Sequence, residues 1–185
     1  MTARDGKNMI DRWLADGSFD ERLPEVAALR GVPQPEEYHA EGDAYTHTML
    51  ALAAVDDDAD CRVFWGTLLH DVGKAVKTAF IHGRWRSYGH GEAGGAMIPE
   101  IMGRLGLAEL SSDVAWLVRN HLFHFSWNLH PGDRLTRNHH RFMEHPLFPL
   151  LLQVCAADAA GSLGKSDKGE KIRMIAELYA DESRE

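Results

Sequence analysis

Along nearly the whole chain, apolar residues recur at spacings of three and four rather than alternating, and Gly, Pro or Asp clusters punctuate the runs. Side chains three and four apart share one face of a helix, so this periodicity restricts the chain to amphipathic helices packed on one another. The expected helices span about 5–15, 20–30, 43–55, 59–71, 90–104, 111–125, 134–144, 147–160 and 168–182. The fold class is therefore all-α, a helical bundle. The segment HGRWRSYG, from His82, is the least helical and reads as a loop or small hairpin. Pro99 interrupts its helix, which either kinks there or restarts with proline in the first turn. No repeat or interdomain linker stands out. At 185 residues the chain is most economically one domain over 1–185, large enough to bury a core without staples.

Bulk properties narrow the functional classes. No apolar run is long enough to span a bilayer, and the polar start MTARDGKNMIDRW has no signal-peptide core, so no membrane partner and a cytoplasmic location are expected. A formal charge of -8 disfavours coating nucleic acid, so bulk DNA binding is not expected, whereas one local site for a nucleotide or RNA end is compatible with it. Cys61 and Cys155 are the only cysteines and read as reduced, buried thiols.

The chain holds eleven histidines, and several continue apolar stripes. On their predicted helices His47 shares a face with Leu50, Ala51 and Ala54; His90 with Ala93, Gly94 and Met97; and His121 with Val114, Leu117 and Val118. Asp158 does the same with Leu151, Val154 and Cys155. In TLLHDVGK, His70 and Asp71 end an apolar segment and Gly73 marks the helix terminus. A single such histidine is ordinarily a hydrogen-bonded core residue, and Asp158 alone could pair with a basic side chain. As a set they supply inward imidazole nitrogens and carboxylate oxygens, the ligands of divalent transition metals. His139, His140 and His145 read as solvated or turn positions, and Asp56-Asp57-Asp58 as an interhelical turn.

The stretch VCAADAAGSLGKS also contains A-x-x-x-x-G-K-S, a relaxed phosphate-loop pattern. A phosphate loop needs a preceding strand, and here a helical stripe precedes it. Gly161, Gly164 and Lys165 therefore read as an exit turn beyond the helix of Asp158.

The order His47, His70-Asp71, Asp158 resembles the HD-domain metal-dependent phosphohydrolases, an all-helical superfamily. The segments HAEGDAYTHTMLAL, LLHDVGKAVKT, YGHGEAGGAM, RLGL, LVRNHLFHF and CAADAAGSLG are similar to the HD domain of bacterial tRNA nucleotidyltransferases, the CCA-adding enzymes, over roughly residues 30 to 165. The glycine-serine motif and paired aspartates of a nucleotidyltransferase head are missing, so CCA addition is not expected. The Gly-Tyr-Pro motif of the cyclic-dinucleotide branch is replaced by FSWNLHPGD. The resemblance implies that His47, His70, Asp71 and Asp158 hold a first divalent metal, and that His90 and His121 hold a second with Asp71 bridging. Mn, Fe, Ni, Co or Zn suit such ligands, with Mg admissible, as one or two ions.

Such a centre implies phosphoester hydrolysis, with 2′,3′-cyclic phosphodiesterase and 2′-phosphatase activity on nucleotides or RNA ends favoured by the resemblance. Asp71 serves as bridge or proton acceptor. Lys74 either touches the phosphate or caps a helix. Arg84 and Arg86, with Trp85 and Tyr88 interleaved, either clamp a base and a phosphate or form an ordinary surface loop. His39 and Glu41 are expected to orient ligands or substrate, Asp43 to cap its helix, and His124 to contact substrate or transfer a proton. The alternatives are a phosphatase for 5′-nucleotides or other small phosphoesters, and a non-catalytic module that docks RNA or a partner protein.

Overall fold

The computed structural model describes residues 1–127, 129–130 and 133–182, without the side chain of Glu182. Asn128, Pro131 and Gly132 of the FSWNLHPGD stretch lie outside the described residues. The chain forms helices α1 (Ala3–Asp16), α2 (Phe19–Arg22), α3 (Pro24–Ala27), α4 (Ala44–Ala53), α5 (Cys61–Leu69) and α6 (Lys74–Lys77) before its one hairpin among the described residues. Strands β1 (Ala79–Ile81) and β2 (Arg84–Arg86) make that hairpin, and α7 (His90–Arg104), α8 (Ser111–Asn120), α9 (Phe123–Ser126), α10 (Arg137–Met143), α11 (Phe148–Gly161) and α12 (Lys168–Glu182) follow. The all-α expectation holds. No helix among the described residues is long and apolar enough to cross a membrane.

Helix α7 packs along α8, and α11 packs across α4 and α5, with α5 also touching α1 and α8. The core between them includes Phe64, Trp65, Leu68, Leu69, Val118, Phe148 and Leu151, all buried. Each fully buried side chain of this kind stabilises the bundle by about 1.5–3 kcal/mol. This is the scaffold that carries polar groups inward.

Several boundaries differ from the periodicity reading, each for a local reason. The single helix expected over 20–30 is two short ones, because Pro24 has no N–H to continue the first and instead starts the second. The helix expected over 59–71 stops at Leu69, and that expected over 111–125 breaks between Asn120 and Phe123. Helix α7 continues through Pro99 without restarting. On α4 the buried side is Ala44, His47, Thr48, Ala51 and Leu52, while Leu50 and Ala54 face outward. His47 and Ala51 keep the predicted face; the stripe winds toward Leu52 because α11 covers that side. In the hairpin, Phe80 pairs with Trp85, and His82 (φ 51) and Gly83 (φ 76) make the tight turn. Two positive φ angles in succession match the twist of a two-residue hairpin.

Candidate metal centre

Helix ends do most of the positioning. Asp43 caps α4 by accepting from the Thr46 N–H at 2.8 Å and also accepts from the Gly31 N–H at 2.6 Å, which fixes the entry of the helix that carries His47 one turn later. His70 and Asp71 lie in the turn after α5, not in its body. Consecutive residues of a continuous helix face different sides, and leaving the helix lets both turn inward. His90 opens α7 and His121 follows the end of α8. Only His47 and Asp158 sit mid-helix. Gly73 has φ -66, so it is not the left-handed cap expected of a helix terminus. Its requirement is space: a Cβ there would collide with the backbone carbonyl of His90, so glycine lets the Asp71 turn lie against the start of α7.

The six predicted ligands converge, all buried. Asp71 stands at the centre with its two oxygens turned to different partners. Oδ2 lies 3.1 Å from His70 Nε2 and 3.9 Å from His47 Nε2, while Oδ1 lies 3.2 Å from His90 Nε2 and 3.8 Å from His121 Nε2. Asp158 Oδ1 closes the first group at 2.9 Å from His47 Nε2 and 3.7 Å from His70 Nε2. The His90 and His121 Nε2 atoms face each other at 3.2 Å.

The outer ring nitrogens decide what these inner ones offer. The Nδ1–H groups of His70, His90 and His121 donate to the carbonyls of Thr67, Ser87 and Val118, each at 2.7 Å. His47 Nδ1 donates to Glu41 Oε1 at 2.8 Å. Carbonyl and carboxylate oxygens only accept, so every Nδ1 carries a proton and each Nε2 faces the cluster, as a lone pair wherever the ring is neutral. His70 Nε2 has no hydrogen-bond partner although it is buried. Lone pairs set against lone pairs and carboxylates repel; a cation between them turns the repulsion into coordination. The donor set therefore fits a divalent metal, in two groups that share Asp71: His47, His70, Asp71 with Asp158, and Asp71, His90, His121.

Electrostatics keep both carboxylates ionised. Burial pushes the Asp71 carboxyl up, but His70 and Lys74 beside it carry it well below the usual range. Burial likewise raises Asp158, and Lys168, His47 and His70 overcome it. Burial drives His121 well below its ordinary value, so that ring is neutral and able to ligate. Glu41 accepts from His39 Nδ1 at 2.7 Å, from His47, and from the Leu163 N–H at 2.9 Å, which locks the loop after α11 onto the segment before α4.

A cavity of about 530 Å³ opens onto Asp71, His90, His121 and Asp158. Lys74 lines it, with Nζ 2.7 Å from Asp71 Oδ2 and a bond to Gln34 Oε1 at 2.6 Å, so it points into the site rather than along its helix. Arg86, Trp85, Tyr88 and His39 line the mouth; Arg84 does not line this cavity, although it shares with Arg86 a neighbouring groove beside Glu36 and Glu37. Of the expected pair only Arg86 thus reaches the cavity, because alternate residues of a strand share a side but lie at different distances along the hairpin. His124 is buried, has no partner for either ring nitrogen, and does not line the cavity. His145 stacks on Trp116 and His139 on Trp127, away from the centre. Asp57 and Asp58 pair with Lys7 and Arg4 at the surface.

Of the cavity residues that the sequence pattern does not mark, two bond to charged groups of the centre. Lys168, ten positions beyond Asp158 at the start of α12, binds Asp158 Oδ1 at 2.8 Å and Oδ2 at 3.0 Å. Gln34 lies between two prolines, a setting that reads as a rigid loop. Neither carries a pattern that separates it from surface residues. The phosphate-loop alternative fails on geometry: helix α11 precedes the glycines, and a Cβ on Gly164 would strike the Tyr38 backbone, so that glycine serves close packing.

The family model for the HD domain matches residues 44–162. The chain belongs to the HD-domain family. The HD family includes proteins that bind divalent metals and act as metal-dependent hydrolases, and the buried His and Asp groups described here suit that chemistry. The chain is also similar to the multifunctional CCA proteins of Alkalilimnicola ehrlichii (34% identical, covering 88% of this chain and 40% of the relative) and Halorhodospira halophila (38%, 86% and 39%). A third, the multifunctional CCA protein of Legionella pneumophila, is 35% identical, with 86% and 39% covered. The chain thus spans about 40% of the length of these curated relatives.

Proposed function

We propose that this HD domain is a metal-dependent phosphohydrolase for phosphoesters of nucleotides or RNA ends, with 2′,3′-cyclic phosphodiesters and 2′-phosphomonoesters favoured. The observation that carries the reading is the central carboxylate: the two oxygens of Asp71 face separate groups of imidazole Nε2 atoms whose protons are all committed elsewhere. In this reading His47, His70, Asp71 and Asp158 hold one divalent ion, and Asp71, His90 and His121 a second. When bound, such ions polarise a phosphoryl oxygen and supply a nucleophilic water at neutral pH.

The protein's own groups do the rest. The Lys74 ammonium lies beside Asp71 and faces the cavity, where it holds a phosphate oxygen as a point charge. Arg86 at the mouth adds a planar donor for a second oxygen, and Trp85 and Tyr88 offer ring faces to a base. Glu41 fixes the His47 ring, so the ligand is in place before substrate arrives. A volume of about 530 Å³ accommodates a mononucleotide or one terminal nucleotide. The preference for 2′-linked esters rests on the resemblance of the sequence motifs to the HD domain of CCA-adding enzymes.

The test is a panel of 2′-, 3′-, 5′- and 2′,3′-cyclic mononucleotides assayed with Mn, Ni, Co, Fe and Mg. Turnover of the cyclic and 2′ esters is expected. Turnover of 5′-nucleotides alone would replace the substrate class, and inert protein that binds RNA without metal would replace the enzyme.

A further inference from the structure

One buried charge at the centre has no part in the proposed chemistry. Lys168 is only 7% exposed, and its ammonium bonds both oxygens of Asp158. Burying an ammonium costs several kcal/mol unless a counter-charge compensates, so this placement has a partner-specific cause. Asp158 Oδ1 is also the oxygen that faces His47 Nε2 at 2.9 Å. Lys168 and any ion held by His47 and Asp158 therefore compete for one carboxylate, and two cations on it repel each other.

The backbone around Lys168 is tied down by bonds of its own, separate from those of its ammonium. The Lys165 N–H donates to the Glu37 carbonyl at 2.8 Å, the Leu163 N–H to Glu41, and the Lys168 N–H to Ser166 Oγ at 3.2 Å. A four-carbon stem on such an anchor can withdraw its ammonium without unfolding α12, and it withdraws into the cavity that Lys74 and Arg86 also line.

We infer that Lys168 is a resident counter-cation of Asp158 that a divalent ion must displace, so that this lysine stabilises the metal-free fold and weakens metal binding at the His47–Asp158 end. The inference rests on the metal-centre reading. It is tested by calorimetric titration of Mn²⁺ into the full wild-type chain and Lys168→Met, with thermal melting of both metal-free proteins. The variant is expected to bind its first ion about tenfold tighter or more. Metal-free, it is expected to melt lower than wild type, the gap shrinking as Mn²⁺ is added. Wild-type binding with equal or weaker binding by the variant overturns this inference alone; no binding by either protein overturns the metal-centre reading as well. If Lys168→Met does not fold, reductive methylation of wild type read by mass spectrometry replaces it. Greater labelling of Lys168 with Mn²⁺ than without supports displacement, and equal or lower labelling refutes it.

Discussion

The two ends of Asp71 are furnished differently. At the Oδ2 end stand two imidazoles, a second carboxylate from Asp158 and the Glu41 brace behind His47, whereas the Oδ1 end has His90 and His121 braced only by backbone carbonyls. The first end brings a second carboxylate, offset in the metal-free protein by the Lys168 ammonium, and a charge-assisted orienting bond; the second shares its only carboxylate. Ion affinity follows ligand charge and the bonds that fix each ligand, so the first end should hold its ion tightly and the second should fill later. That contrast is open to attack.

The largest expected effect removes the contrast altogether. Asp71→Asn should lose both ions and lower hydrolysis on the order of a thousand-fold, since several kcal/mol of charge stabilisation go with them, while circular dichroism stays helical. Next come substitutions that separate the ends. His121→Gln should leave one tightly held ion by elemental analysis, whereas His47→Gln or Asp158→Asn should lose that ion; equal losses from either end would erase the asymmetry. Glu41→Gln keeps the shape but weakens the acceptor for His47, and should cost roughly 10–100-fold in metal affinity with no effect on the second ion.

The smallest effect lies outside the cluster, at His124. Burial depresses the His124 pKa to about 4 from 6.5. The unfolded chain then binds the extra proton first, so the stability contributed by the neutral ring is present above pH 6.5 and is lost as pH falls through that value toward 4. Urea denaturation of metal-free protein should show a loss of about 1 kcal/mol from this group between pH 7.5 and 5.5. His124→Phe should flatten that slope and leave metal stoichiometry unchanged. Stoichiometry that falls with it would tie His124 to the second end.

Periodicity alone sufficed for the helical class, and the apolar stripes containing His47, His90, His121 and Asp158 pointed their polar members inward correctly. A helical stripe forecasts direction because side-chain placement repeats every 3.6 residues and needs no knowledge of neighbours. It fails where the helix ends. His70 and Asp71 are legible as a dipeptide, yet their joint inward turn depends on α5 stopping at Leu69 and on Gly73 slipping under the His90 carbonyl.

What the sequence by itself determined, then, was the kind of fold and the identity of six inward His and Asp side chains. Only the tertiary structure decided how they divide about Asp71, that Lys74 bonds Gln34, that Arg86 reaches the cavity and Arg84 does not, and that Lys168 reaches back to Asp158. The physical reason is range. Local spacing governs which face a residue occupies, whereas the partner of a charge is set by whichever distant helix packs closely enough to share its burial.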